Sequence, residues 1–299
     1  MISIFAPTGM GEVTRGTDLA GAILTAIQAD DSGPFRGGDI VVVTSKIISK
    51  CEGRTALAHD HRAVVAAETA QTVARRGETR IVRTHSGLTV AGAGVDNSNV
   101  EPGTILALPL DADASAARLR VELERRAGVR LGVIISDTAG RAWRIGQTDQ
   151  AIGAAGVRVV ERFAGRQDRY GNELRVTAVA VADELAAAAD LAKGKLAGCP
   201  VAVIRGLAHH LLPASDERTD GVAADLVREP AADLFRYGTR EAVIAAVLKA
   251  VGETEQFEAV LELDGDAVVT AIVSLSGRHG AEADLLSSII RAGLPDPPH

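Results

Sequence analysis

The sequence predicts an α+β fold, with mixed sheets flanked by helices. Two observations carry this. Short β-branched runs, apolar on both faces, read as buried strands. Longer segments between them repeat apolar residues at helical spacing. The 299-residue chain is long enough to bury a large core.

Taken in order, residues 2–5 alternate like a short strand, and "APTGMGE" follows as a glycine-bearing loop. Residues 19–29 have helical spacing, and 31–38 form a turn cluster. "DIVVVT", 39–44, has the pattern of a central strand, and "SKIISKCEGR" follows it. Residues 62–76 read as an exposed amphipathic helix. Short strands are expected at 80–83, 88–91 and 105–109, with the loop "GAGVDNSNV" among them. A helix is expected over 112–127, then a strand over 131–136 that ends at Asp137 and Thr138.

"DRYGNEL" is a turn, and a strand is expected over 175–181. An alanine-rich helix follows over 183–197, acidic at its start and carrying Lys193 and Lys195 at its end, as the helix dipole favours. A strand at 201–205 and a helix at 241–251 complete the larger part. In the tail, "FEAVLELDGDAVVTAIVS" reads as a hairpin turning at Asp264-Gly265, followed by an amphipathic helix over 282–292. The division expected is one domain over 1–250 and a short extension over 251–299.

Only 3% of residues are aromatic, so aliphatic side chains must fill the core. The net charge of -7 argues against a general nucleic-acid binder. Two cysteines, Cys51 and Cys199, are too few for a disulfide scaffold or a cysteine metal site. The start "MISIFAPTGMGEV" lacks the pattern of a signal peptide, and no apolar run approaches the ~20 residues of a membrane span. A cytoplasmic protein is the expectation.

No G-x-x-x-x-G-K-[ST] loop and no G-x-G-x-x-G turn occurs. The chemistry has to come from elsewhere. Asp96 lies in a glycine-rich loop beside Asn97, Ser98 and Asn99, and Asp137 stands next to Thr138. Carboxylate, amide and hydroxyl oxygens suit magnesium or manganese and leave positions for phosphate oxygens. Read singly, Asp96 is better taken as holding a turn and Asp137 as capping a helix. The basic counterpart is Ser45, Lys46, Lys50 and Arg54, just after a central strand, where open sheets bind ligands. Arg141 and Arg144 offer forked contacts to phosphate or carboxylate, and Trp143 is expected to pack. Acids for a metal and bases for phosphate suggest metal-assisted phosphoryl chemistry without a P-loop.

"GDIVVVTSKIISKCEGR", "AGVDNSNV", "ISDTAGRAWRIGQTDQAIGAAG", "YGNEL" and "VADELAAAADLAKGKLAGCPVAVIRG" together resemble the coenzyme F-420:L-glutamate ligase family, also called gamma-glutamyl ligases. The likeness spans roughly residues 2–237. It implies a GTP-dependent ligase that adds L-glutamate to the glutamate-free coenzyme F-420 precursor and then further glutamates through gamma linkages. It also implies an intertwined homodimer, a divalent manganese or magnesium ion and potassium.

Carried over by motif, the resemblance makes Asp96, Asp137 and Thr138 metal ligands. It gives Ser45, Lys50 and Asn99 to the nucleotide, together with the N-terminal loop Met10, Gly11, Glu12 and Val13. The loop from Lys193 through Lys195 to Pro200 approaches the same nucleotide. A glutamine ligand of archaeal relatives falls on Lys195, which changes the ligand set of a second metal. Lys50, Arg141 and Arg144 are the expected catalytic cations, offsetting charge as a carboxylate is phosphorylated and the amine of L-glutamate displaces phosphate. Roughly sixty residues follow Tyr237, too few for the flavin domain fused to some actinobacterial relatives, so no flavin is expected. The alternatives are an amide ligase of this fold with another acceptor, and a nucleotide- or metal-binding regulator without catalysis.

Overall fold

The computed structural model describes residues 1–213 and 221–294. In chain order the elements are β1 (Ser3–Phe5), α1 (Leu19–Ala29), β2 (Ile40–Thr44), α2 (Ser45–Glu52), β3 (Thr55–Leu57), α3 (His61–Glu68), β4 (Thr69–Arg76), β5 (Thr79–Thr84), β6 (Thr89–Ala91) and β7 (Thr104–Leu106). They continue as α4 (Ala112–Ala127), β8 (Gly132–Arg141), β9 (Arg144–Ala155), β10 (Glu161–Arg162), β11 (Ala178–Val179), α5 (Val181–Lys193), β12 (Val201–Arg205), α6 (Thr239–Val251), α7 (Phe257–Leu261), α8 (Asp266–Leu275) and α9 (Ala281–Gly293). Mixed sheets and flanking helices are therefore as expected. The chain divides into two compact units.

The first unit, residues 1–67, 86–88 and 94–228, is built on a five-stranded sheet of order β1-β12-β2-β8-β9. Only β2 and β8 run parallel, in the register Ile40↔Gly132 through Thr44↔Ser136. Both faces of these strands are covered, which explains their lack of polar alternation. Val41, Val43, Val133 and Ile135 face a core completed by α1, α2 and α4, with Ile23, Ile48 and Leu123. Ile40, Val42, Ile134 and Ile204 face the other core, against Leu185, Ala186 and Ala189 of α5. The small-residue run of β9 has a steric cause. A Cβ on Gly153 would stand 2.4 Å from the Ala112 carbonyl oxygen at the start of α4.

The second unit, residues 68–85, 89–93 and 229–299, pairs β4, β5 and β6 in an antiparallel sheet. Its helical core contains Ile244, Leu248, Leu261, Val268, Ile272 and Ile290.

Here the structure corrects the expected tail hairpin: α7 and α8 are helices, and Asp264-Gly265 is the break between them. Val268, Val269 and Ile272 lie on one buried helical face. Packing on α6 and α9 decides between two patterns that a short apolar run leaves open. Acids at the break accept arginine forks. Arg80 binds Glu262 at 2.6 and 2.7 Å, and Arg75 binds Asp264 at 3.2 Å through each nitrogen.

The helix expected over 62–76 is also corrected. It stops at Glu68, and β4 takes the rest because Thr72 and Val73 bury themselves while pairing with β5. Of residues 175–181 only Ala178–Val179 is strand. β8 does not end at Asp137; it runs on to Arg141 and returns as β9.

Replacing Ile272, fully buried in the helical core, with alanine is expected to cost about 2–4 kcal/mol. Faster hydrogen exchange of the α8 amides would report it; a hairpin-like exchange pattern there would contradict the helical assignment.

Candidate active site

The site grows from the parallel register. Thr44 and Ser136 are the last residues paired between β2 and β8, so Ser45 and Asp137 stand side by side just past the end of that pairing. Ser45 also begins α2, whose first N–H groups lack carbonyl partners within the helix. Its Oγ donates to Asp137 Oδ1 at 2.6 Å. Gly53, at φ 73°, ends α2 after only eight residues and turns the chain into β3.

Asp96 reaches this place from a separate loop. Its backbone exchanges hydrogen bonds with Leu106, at 3.0 and 2.8 Å, which anchors the loop beside β7. Ser98 then folds back, its N–H and Oγ each donating to the Asp96 carboxylate at 2.8 Å. Lys46, one residue into α2, places Nζ 2.5 Å from Asp96 Oδ2 and also contacts Ser98 Oγ. Asn99 takes a left-handed conformation at φ 57°, which asparagine tolerates, and its side chain is exposed.

Electrostatics join the two loops. Burial pushes Asp137 up to about 6; the Ser45 bond and the Lys46 charge oppose this, while Asp149 and Asp96 add to it. Burial also works against the charge of Asp96, but Lys46 and Ser98 outweigh it and hold that carboxyl below its usual value. Asp96 and Asp137 are thus close enough to feel each other, and the Lys46 ammonium acts on both.

Thr138 lies on the opposite side. Alternation along β8 sends Asp137 towards α2 and Ser136 and Thr138 towards α5. Thr138 Oγ1 donates to Asp149 Oδ1 at 2.7 Å, and Ser136 Oγ donates to Asp149 Oδ2 at 2.7 Å. Lys193 Nζ, at the end of α5, stands 2.8 Å from Asp149 Oδ2. Both members of this ion pair are buried, Asp149 at 3% exposure and Lys193 at 4%. The Lys193 ammonium is therefore turned inward. Lys195, in the following loop, reaches within 3.5 Å of Thr138 Oγ1.

Lys50 bonds Glu12 at 2.5 Å and so ties α2 to the N-terminal loop. In that loop Val13 is buried, Met10 packs on the core and Gly11 is exposed. Arg141 and Arg144 are not brought to the aspartates. They face each other at the exposed hairpin end, and Arg141 is four residues, roughly 13 Å, beyond Asp137. Trp143, expected to pack, is 80% exposed there at φ 60°. Asp149 escaped the sequence reading because nothing in "GQTDQAIG" marks it; the cross-strand register Thr138↔Asp149 reveals it.

Two carboxylates and nearby hydroxyls form an all-oxygen donor set. These residues fit a hard divalent cation. Among the described residues no three His, Cys, Asp or Glu side chains converge on one point, so water or phosphate oxygens would complete the shell. No helix among the described residues is long and apolar enough to cross a membrane.

Residues 9–206 match the family model described as F420-0:Gamma-glutamyl ligase. The chain belongs to this family. Its curated relatives include the coenzyme F420:L-glutamate ligase of Archaeoglobus fulgidus, 38% identical over 69% of this chain and 88% of the relative. Those of Methanopyrus kandleri and Methanothermobacter thermautotrophicus are 37% and 34% identical, over 75% and 79% of this chain and 94% and 99% of theirs. The family match spans every site residue of this gamma-glutamyl ligase family member described above, Asp149 included.

Asp137 generates a pH prediction. Its folded pKa of about 6 exceeds the ordinary 3.8, so the folded protein holds the proton more tightly between those values. Stability contributed by protonated Asp137 is present below pH ~4 and lost as pH rises through ~6. Without divalent cations, Asp137→Asn, which keeps an acceptor for Ser45, is expected to gain about 1–2 kcal/mol over wild type at pH 7.5. The gain should vanish near pH 4; urea denaturation at both values checks it.

Proposed function

We propose that this protein joins L-glutamate to the glutamate-free precursor of coenzyme F-420, and adds further glutamates through gamma linkages, using GTP through an acyl phosphate. The observation that carries the reading is the convergence of Asp96, Asp137, Ser45 and Lys46 where the β2–β8 pairing ends, in a chain of the F420-0:gamma-glutamyl ligase family. The relatives' names supply the acceptor and the amino acid.

A free carboxylate is a poor acyl donor, so it must be activated. The precursor's terminal carboxylate oxygen attacks the γ-phosphorus, and the bond to the GDP oxygen breaks. The amine of L-glutamate then attacks the acyl carbon, inorganic phosphate leaves, and the amine gives up a proton. Asp96, Asp137 and Thr138 would hold two manganese or magnesium ions, which would draw charge from the phosphate oxygens. Potassium assists as a monovalent helper. Ser45 and the N-terminus of α2 orient the phosphates. Lys46 and Lys50, released from Asp96 and Glu12, offset negative charge as it develops. Glu12 with Met10, Gly11 and Val13 brings the N-terminal loop against the nucleotide, and Asn99 presents its amide from the Asp96 loop. Lys195 faces the same space from the Thr138 side. Arg141 and Arg144 take no part in this scheme.

The active form is proposed as a homodimer. Beyond Ser136, β8 pairs only with β9, and the hairpin exposes Trp143 and Ile145 at its end, an apolar surface suited to a second chain.

Incubation with precursor, GTP, manganese and L-glutamate should yield mono- and polyglutamylated products by mass spectrometry, with GDP released. Asp137→Ala should lower that turnover at least about a hundredfold. Product formed on a different acceptor carboxylate and not on the precursor would redirect the assignment. Nucleotide binding without any product would remove the ligase reading.

A further inference from the structure

Stability alone does not account for the choice of a buried Asp149–Lys193 pair. A buried ion pair loses about as much in desolvation as it gains in attraction, and apolar side chains of similar volume serve a core equally well. Its neighbours on that face of the sheet are largely alanine, valine and isoleucine. The geometry of the pair is more specific than packing requires.

Each oxygen of Asp149 takes one hydroxyl proton from β8: Oδ1 from Thr138 and Oδ2 from Ser136. Lys193 donates to the Asp149 oxygen at 2.8 Å and to Ser136 Oγ at 3.0 Å. Thr138 has one hydroxyl proton, and Asp149 holds it. The Thr138 oxygen can therefore only accept from anything else that approaches, and its lone pairs point away from Asp149. Lys193 is also the last residue of α5, followed by Gly194 at φ 63°. The loop that begins there carries Lys195 to Thr138 and ends at Pro200, whose carbonyl accepts from Thr44 N at 2.9 Å, one residue before Ser45.

We infer that Asp149 and Lys193 are positioning residues: the pair fixes Thr138 as an acceptor-only oxygen on its side of β8, and pins the loop that carries Lys195 to Thr138 and Pro200 to Thr44. Carboxylates that hold the proton of a ligating group orient it and raise its basicity, and losing them weakens metal binding about 10–100-fold. This inference rests on the metal-nucleotide reading proposed above.

The test is Mn2+ binding in the presence of GDP, followed by electron paramagnetic resonance of the free ion. The variants are Asp149→Asn, Thr138→Val, Thr138→Ser and the double variant Asp149→Asn with Lys193→Gln, which leaves no uncompensated buried charge. Expected is about tenfold or weaker Mn2+ affinity for Asp149→Asn, the double variant and Thr138→Val, with near-wild-type affinity for Thr138→Ser. If Asp149→Asn does not fold, the double variant and the threonine pair decide alone. Folded variants that bind Mn2+ and GDP as wild type does would make the pair merely structural and overturn the inference, leaving the proposed function standing. Wild type that binds no Mn2+ with GDP would overturn both.

Discussion

One parallel pairing organises this protein. β2 and β8 lie side by side in a sheet whose other neighbours are antiparallel, so two chain segments leave the same edge together. Shifting that register by one residue would turn Ile134 and Ile135 to the wrong faces and separate Ser45 from Asp137. The same apolar packing that holds the strands therefore sets the contact between Ser45 and Asp137.

Charge is the second constraint. Three carboxylates gather near the end of β8, and each is managed differently. Asp96 is neutralised by Lys46, Asp149 by Lys193, and Asp137 has a hydroxyl for a direct partner. Burial opposes all three charges and prevails only at Asp137, where Ser45 is the direct partner and Lys46 acts through its charge without a hydrogen bond. Alternation along β8 splits the neighbourhood in two, one side towards α2 and the other towards α5. A hydroxyl and a carboxylate adjacent in sequence serve different surroundings for that reason alone.

The second unit follows a different logic. Its helices carry their own aliphatic core, and arginines of β4 and β5 reach the acids at the α7–α8 break. Glu241, nearly fully buried, accepts from the Arg75 backbone N–H and from Arg240. These charges sit where the helical tail meets the sheet of its own unit, so the tail's place depends on several forked contacts as well as on apolar packing.

What the sequence by itself determined is what local pattern controls. The doubly apolar runs at β2 and β8, the helical spacing of α1 and α4, and the acids and bases at strand ends are all legible, because burial on two faces and helical period leave marks in neighbouring residues. The five motifs also carried the family. Tertiary structure decided the rest. Residues 69–76 became strand and 266–275 helix because partners distant in sequence accepted them, overriding weak local preference. Asp149 joined the site, while Arg141 and Arg144 stood away from it, through the antiparallel return of β9. A cross-strand neighbour is set by pairing register, and register is a property of two segments that neither one records alone.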